Sequence, residues 1–328
     1  MHATVQKILV VGGNGFIGSA VCKSALARGM QVTSISSSGK PYRTPKGHSP
    51  AWASQVDWRR ADALRPETYA SLLPGVSAVV HTLGTLLEDG KYKAALANGD
   101  VPSLLRHFVS GLSGHGGNPL ERNSRAGSTG GYEIMNRDSA LRVCEAFVSS
   151  KPSADAANIR PFVYISAEDI YRPLISARYI ETKREAERHI EQLISNNPQY
   201  RGVYIRPSLV YHAHQRPLTT PLAALIDLSA TLHARLPPGL PSPSSVLRSL
   251  GSTFSPPVPV DSQMTTSSLD SMANALTIPP IHVEHVAEAI CVALESPKNI
   301  AGVLGVKEMR EIIGWTEKGQ HLPSTGQA

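Results

Sequence analysis

Acidic residues are missing from the first 56 positions of this 328-residue chain; Asp57 is the first. An acid-poor start is a feature of mitochondrial transit peptides. Here it coincides with a strand–turn–helix pattern, so composition alone leaves localisation open. Because a strand pattern starts near residue 7, no secretory leader is expected. Cysteine is scarce: Cys22, Cys144 and Cys291 all lie in apolar helical patterns, and none has a CxxC neighbour. They read as small buried hydrophobes in a reducing compartment, not as disulfides or metal ligands. His212 with His214, and His282 with His285, lack the carboxylate or cysteine company that a metal site needs, so no metal is expected. Aromatic residues make up only 5% and do not interleave with an arginine-rich stripe. Nucleic acid is therefore not an expected partner, although the net charge is +6 and the pI about 9.2. That balance suits an anionic cofactor, an anionic membrane surface or the mitochondrial matrix. No run is long and apolar enough to span a bilayer; the best, 218–236, contains Asp227, His233 and Arg235. With 41% hydrophobic and 18% charged residues, the chain reads as globular, one large domain or a domain with a smaller lobe.

What is present concentrates in Lys7 to Gly29. Lys7-Ile8-Leu9-Val10-Val11 has strand length and is followed at once by Gly12-Gly13-Asn14-Gly15-Phe16-Ile17-Gly18. A helical pattern follows, with Ile17, Ala20, Val21, Ser24 and Ala25 on one face and Gly29 as the C-cap. This context separates a dinucleotide-binding turn from an ordinary glycine-rich one. A pyrophosphate sits on a helix N-terminus, where free N–H groups and the positive dipole end favour an anion. Gly12 is needed for the tight turn, Gly15 for approach of the phosphates and Gly18 for helix–strand packing. Phe16 and Ile17, opening the helix, complete this group of expected cofactor residues.

A second strand, 31–36, leads to the point that selects the cofactor. An NAD enzyme usually carries Asp or Glu about 20 residues past the glycines. Here that place holds Ser36-Ser37-Ser38-Gly39-Lys40, with Arg43 and Lys46 behind it. Hydroxyls and cations suit a 2′-phosphate, so NADP(H) is favoured over NAD(H); the alternative is that these cations are solvated loop charges. A third strand is expected at 55–58, a short helix at 66–73 and a fourth strand at 77–81. Gly84 follows, where the backbone can pass close to a ribose. Residues 111–131, rich in Gly, Ser and Asn, read as a loop or insertion. A helix at 132–147 and a fifth strand at 161–166 come next.

Tyr179 and Lys183 stand at i and i+4 in a helical stretch running to Ile194. A phenol has an ordinary pKa near ~10. A neighbouring ammonium and a positively charged nicotinamide are expected to lower it, making Tyr179 a general acid or base. Lys183 is also expected to hold the nicotinamide ribose. Ser166, closing the fifth strand, is the candidate donor to the same substrate oxygen. The bland alternative is a plain helix face; position after the fifth strand of a nucleotide fold argues against it. A sixth strand is expected at 202–207. The alternation of strands and helices gives an α/β class: a Rossmann doubly wound parallel sheet with helices on both faces and a smaller C-terminal substrate lobe. The expected division is 1–211, with a returning segment 278–296, for the dinucleotide-binding body. Residues 212–277 and 297–328 form the Pro/Ser-rich lobe and tail, with one helix at 221–235.

Together these motifs resemble the short-chain dehydrogenase/reductase superfamily in its extended and atypical branch. The residues that carry the likeness are Gly12-x-x-Gly15-x-x-Gly18, Asp62, Ser166, Tyr179-x-x-x-Lys183, Ile205-Arg206-Pro207 and His282-Val283-Glu284-His285-Val286-Ala287. The resemblance implies an adenine contact at Asp62-Ala63 and a cofactor contact at Pro207, and equates Asn136 with the family's structural asparagine. Within the branch the chain looks like the fungal mitochondrial ubiquinone-biosynthesis accessory proteins, relatives of the NADPH-binding accessory subunit of respiratory complex I. The closer marks include Ser38-Gly39-Lys40, Val80-His81-Thr82-Leu83-Gly84, Tyr132-Glu133-x-Met135-Asn136 and Lys183-Arg184-Glu185-Ala186-Glu187. This implies a protein on the matrix side of the mitochondrial inner membrane, in peripheral contact with it and with the coenzyme Q biosynthetic complex. Three roles compete. One is an NADP(H)-dependent oxidoreductase on a carbonyl or alcohol of a hydrophobic substrate or quinone precursor. The second is a catalytically silent nucleotide-binding scaffold or redox sensor. The third, weaker, is a nucleotide-sugar epimerase.

Overall fold

The computed structural model describes residues 6–86, 131–150, 159–172, 175–215, 219–235, 237, 241–254, 267–295 and 300–315. In chain order its strands are β1 (Lys7–Val11), β2 (Gln31–Ser36), β3 (Asp57–Arg60), β4 (Ala78–His81), β5 (Arg160–Ile165), β6 (Tyr200–Ile205), β7 (Val210–Tyr211), β8 (Ile281–His282) and β9 (Gly302–Leu304). The α-helices are α1 (Phe16–Ala27), α2 (Ser139–Ser149), α3 (Ala177–Ser195), α4 (Thr219–Ala234), α5 (Pro243–Phe254), α6 (Ser268–Thr277), α7 (Val283–Glu295) and α8 (Val306–Ile312).

Successive side chains of a strand point to opposite faces. In β1, Ile8 and Val10 enter one apolar cluster with α1 and α7, while Leu9 and Val11 enter another with α2 and α3. A strand apolar on both sides belongs in a parallel sheet covered on both faces. Among the described residues, seven parallel strands form that sheet in the order β3-β2-β1-β4-β5-β6-β9. The order reverses direction between β1 and β4. That opens a crevice beyond the carboxyl ends of the strands, where such sheets bind ligands.

Several elements depart from the sequence reading. The third strand is Asp57–Arg60, an edge strand whose charged side chains hide its apolar signal. Residues 66–73 form two short 3-10 turns, Pro66–Thr68 and Ala70–Leu72, not one helix. The helix expected from 132 starts as a π-helical turn, Glu133–Asp138, which buries Asn136, and continues as α2. Placing 297–328 wholly in the lobe needs correction. Val303 pairs with Tyr204 in the main sheet, and Val306 and Met309 of α8 join its core. Three residues beginning at a glycine with φ +81° are too few to show an alternating pattern. The loop read at 111–131 lies outside the described residues except for Gly131, as does the tail after Trp315.

The lobe holds α4, α5 and α6 in place of the single helix expected. It grips the body through a buried clamp just past β5. Arg172 pairs with Asp169 through both carboxylate oxygens at 2.8 and 2.7 Å, and its backbone N–H donates to Ser271 Oγ at 3.0 Å. Asn274 Nδ2 returns a bond to the Asp169 carbonyl at 3.1 Å.

Candidate active site

Gly12 leaves β1 at φ +87°, a region that side chains with a Cβ rarely adopt. Its carbonyl accepts the Gly15 N–H at 2.9 Å. A Cβ on Gly18 would stand 2.3 Å from that carbonyl oxygen and 2.8 Å from Thr82 Oγ1, so only glycine lets α1 seat on the turn. Gly15 is different: a Cβ there meets nothing within 4 Å except Gly12 O at 3.2 Å. The space over it is open. α1 has no capping side chain and no acid in its first turn. A helix start of this kind, lining a cavity, fits a pyrophosphate. The cavity measures about 420 Å³ and runs from Gly12–Gly18 to Tyr179 and Lys183.

The residues expected to hold cofactor divide into two groups. Gly12, Gly15, Phe16, Ile17, Gly18, Gly84, Tyr179, Lys183 and Pro207 line the cavity. Ser36, Ser37, Ser38, Lys40, Asp62 and Ala63 do not. Ser38 is joined to the first group, because its Oγ accepts from Asn14 Nδ2 at 3.3 Å and Asn14 lines the cavity. Ser36 Oγ accepts the Gly39 N–H at 3.1 Å. Lys40 is exposed and Ala63 is buried. Asp62 spends one carboxylate oxygen on the Leu64 N–H at 3.0 Å, within its own turn. The structure adds a residue the sequence reading passed over. Parallel register sets Arg60 beside Ser36, and a Cβ on Gly39 would lie 2.7 Å from Arg60 Cβ. The exposed Arg60 thus flanks the serine loop. Its signal was the paired arginines closing β3.

At the other end, α3 is capped by Ser176, whose side chain accepts the Arg178 N–H at 3.2 Å. One turn in, Tyr179 and Lys183 share a face. Lys183 is 3% exposed; its Nζ donates to the Ile165 carbonyl at 2.8 Å and lies 4.8 Å from the Tyr164 ring centre. Burial lowers its pKa to about 7, with Glu187 pulling the other way. Gly84 makes room for it: a Cβ there would stand 2.7 Å from Nζ and 3.0 Å from Asn136 Oδ1. Asn136 Oδ1 accepts the Thr85 N–H at 2.9 Å, which fixes the loop after β4.

Two expectations need correction. The Tyr179 phenol is not lowered in the protein alone. Burial holds it well above its ordinary value, the nearby Tyr132 adds to this, and the opposing cation is Arg184. Desolvation outweighs the pull of Arg184, and the Lys183 amine is turned to the Ile165 carbonyl. Nor is the Ser166 hydroxyl idle. It accepts from Arg184 Nη1 at 3.3 Å and hydrogen-bonds the Glu187 carboxylate. Glu187 is 6% exposed; burial alone would raise its pKa, but Arg206, Arg184 and Ser166 hold it below the usual range. Ser166 therefore lines the cavity with its single proton already engaged. Leu86, Met135, Ile170, Ile175, Leu209 and Val210 give the rest of the wall an apolar stretch, interrupted by Thr82, Glu168, Tyr171 and Ser208.

Among the described residues no group of three or more His, Cys, Asp or Glu is arranged for a metal. The histidines there have another occupation. Nδ1 of His212 accepts the backbone N–H of His214 at 3.1 Å, and Nδ1 of His282 accepts that of Glu284 at 3.3 Å.

The profile of the NAD dependent epimerase/dehydratase family matches residues 8–100. MIOREX complex component 2 of Saccharomyces cerevisiae is 36% identical over 219 residues, covering 64% of this chain and 75% of that protein. The chain belongs to the NAD dependent epimerase/dehydratase family. A 2-alkyl-3-oxoalkanoate reductase of Stenotrophomonas maltophilia is 25% identical over 231 residues, and the chain spans 55% of its length. A solved oxidoreductase of the short-chain dehydrogenase/reductase family from Burkholderia thailandensis superposes with a TM-score of 0.53 at 13% identity, over 93% of this chain and 92% of that one. That likeness speaks for the fold. Family and fold make this an NAD(P)-binding Rossmann protein of the short-chain dehydrogenase/reductase type, and the open glycine turn fits the nicotinamide cofactor class.

Proposed function

We propose that the protein is an NADP(H)-dependent oxidoreductase that reduces a carbonyl, or oxidises the matching alcohol, on an apolar substrate such as a quinone precursor. One observation carries this reading: Tyr179 and Lys183 line the same cavity as the pyrophosphate turn, together with a stretch of apolar side chains. NADPH, when bound on the glycine turn, would supply the hydride. Tyr179 then gives its proton to the substrate oxygen, a step that suits a phenol kept protonated by burial. Lys183 would hold the ribose and, with a pKa of about 7, can take or release a proton beside it. The preference for the phosphorylated cofactor rests on Ser36–Ser38 with Arg60, and on the absence of a carboxylate among them. Helices α4–α6 serve as the substrate lobe. The acid-free first 56 residues and the resemblance to the ubiquinone-biosynthesis accessory proteins support a place on the matrix side, with the coenzyme Q biosynthetic complex as partner.

Tyr179→Phe tests the chemistry. Turnover is expected to fall by ~10²–10⁴-fold, with NADPH affinity unchanged by titration calorimetry. Unchanged turnover removes Tyr179 from the mechanism. A second reading, a silent nucleotide-binding scaffold, is favoured by Ser166, whose proton is engaged by Glu187. It is the better reading if Tyr179→Phe fully restores coenzyme Q in a null strain while Gly15→Asp does not.

A further inference from the structure

Helix α4 is apolar on both sides. Ala223, Ile226 and Ala230 are buried, and the Ser229 hydroxyl ties the same side to the Leu276 carbonyl of α6 at 3.2 Å. On the outer side Leu222, Leu225, Leu228 and Leu232 are 48%, 66%, 55% and 58% exposed. Their spacing of three, three and four puts them in one stripe. A surface helix ordinarily turns polar residues outward. Four leucines in water mark a face made to be covered.

We infer that this stripe docks the protein on the surface of an anionic phospholipid bilayer. Charge decides the occupant. Among the described residues of the lobe, Asp227 and Asp270 stand against Arg235 and Arg248, and both acids are engaged, Asp270 by the Ser267 capping box. Asp227 itself lies 3.9 Å from Arg310 on α8. Arg235, exposed, follows α4, and Arg248 is on α5, where Val246 and Leu250 add a second exposed apolar pair. Leucines bordered by arginine match the interior edge and the headgroups of an anionic leaflet. The stripe also leads to the cavity: α4 packs beside β7, and Val210 of β7 lines the cavity together with the exposed Leu86 and Met135. Among the described residues no helix is long and apolar enough to cross a membrane, so α4 lies on the surface. Docked in this way, the apolar rim of the cavity takes substrate from the lipid; this last point rests on the proposed reductase reading, and the docking does not.

The test is flotation of the full chain with vesicles of phosphatidylcholine alone, or with roughly a third phosphatidylglycerol. Binding to the anionic vesicles is expected to be at least ~10-fold tighter than to the neutral ones. Leu225→Glu with Leu232→Glu is expected to weaken it at least ~10-fold, with melting temperature and NADPH affinity unchanged. Arg235→Glu with Arg248→Glu is expected to remove the preference for anionic lipid. The inference is overturned if the wild type does not float with anionic vesicles, or if either double variant floats as the wild type does. It is equally overturned if sedimentation shows a dimer that the leucine variants split, for then a second copy covers the stripe. Tyr179→Phe keeps vesicle binding under this inference, so loss of docking and loss of turnover are read separately.

Discussion

The sheet and the lobe are held together by different forces. Around β1, strand ladders and two apolar clusters fix every element, and Ile8, Leu9 and Val10 are fully buried. The lobe meets the body largely through polar clamps, above all Arg172 with Asp169, Ser267 and Ser271. One part is made to keep a fixed shape over a cofactor common to many proteins. The other is fastened at a few points, next to the wall that the proposed substrate would meet. Structures divided in this way keep cofactor chemistry constant while the substrate side varies.

The sharpest test of this contrast lies inside the glycine turn. Gly18→Asp forces side-chain atoms against Gly12 O and is expected to destabilise the body by about 3 kcal/mol or more. Gly15→Asp enters open space; thermal melting is expected near the wild-type value while NADP(H) affinity falls at least ~100-fold. Equal melting of the two variants breaks the distinction between a packing glycine and a contact glycine. On the lobe side, Arg172→Ala strips Asp169 of a bidentate partner, worth about 3 kcal/mol for a buried pair. Amide exchange is expected to quicken in α5 and α6 and not in β1–β6. Uniform quickening shows that lobe and sheet unfold as one.

Lys183 offers a pH test of the reacting end. Its pKa is about 7 in the fold against an ordinary 10.5. Between those values the unfolded chain carries a proton that the folded protein does not. Stability contributed at this site therefore rises as pH climbs from about 7, and the penalty is full and constant below it. The slope is at most about 1.4 kcal/mol per pH unit. Urea unfolding at pH 7 and pH 9 should show that slope in the wild type and lose it in Lys183→Met. The smallest effect is expected at Arg60→Ala, with NADPH binding weakened ~10-fold and NADH binding untouched. Equal losses for both cofactors make Arg60 a structural residue.

Much of the sheet side was legible because independent local signals coincide there. A strand-length apolar run, three spaced glycines and a helical period all point to one unit. Tyr179 and Lys183 were legible for the same reason, being one helical turn apart behind a strand. The rest depends on contacts between distant segments. Arg60 becomes visible only when β3 is set in register with β2. The engagement of Ser166 by Glu187 joins a strand end to the third turn of α3. Helix α6 did carry a local signal, the Ser267–Asp270 capping box, that the Pro/Ser-rich surroundings obscured. Its neighbour α4 was legible, as the one lobe helix expected at 221–235.

The π-helical turn at Glu133–Asp138 holds one amino acid more than an ordinary helical turn needs. Deleting a single position there would let the segment close into regular helix and rotate everything before it by roughly 100°. Asn136 would swing away from Thr85, and Tyr132 away from the Leu86 carbonyl it now reaches at 3.0 Å. A lone deletion in this segment is thus a more telling lesion than most replacements, because it shifts the angular setting of the site and leaves its residue types intact.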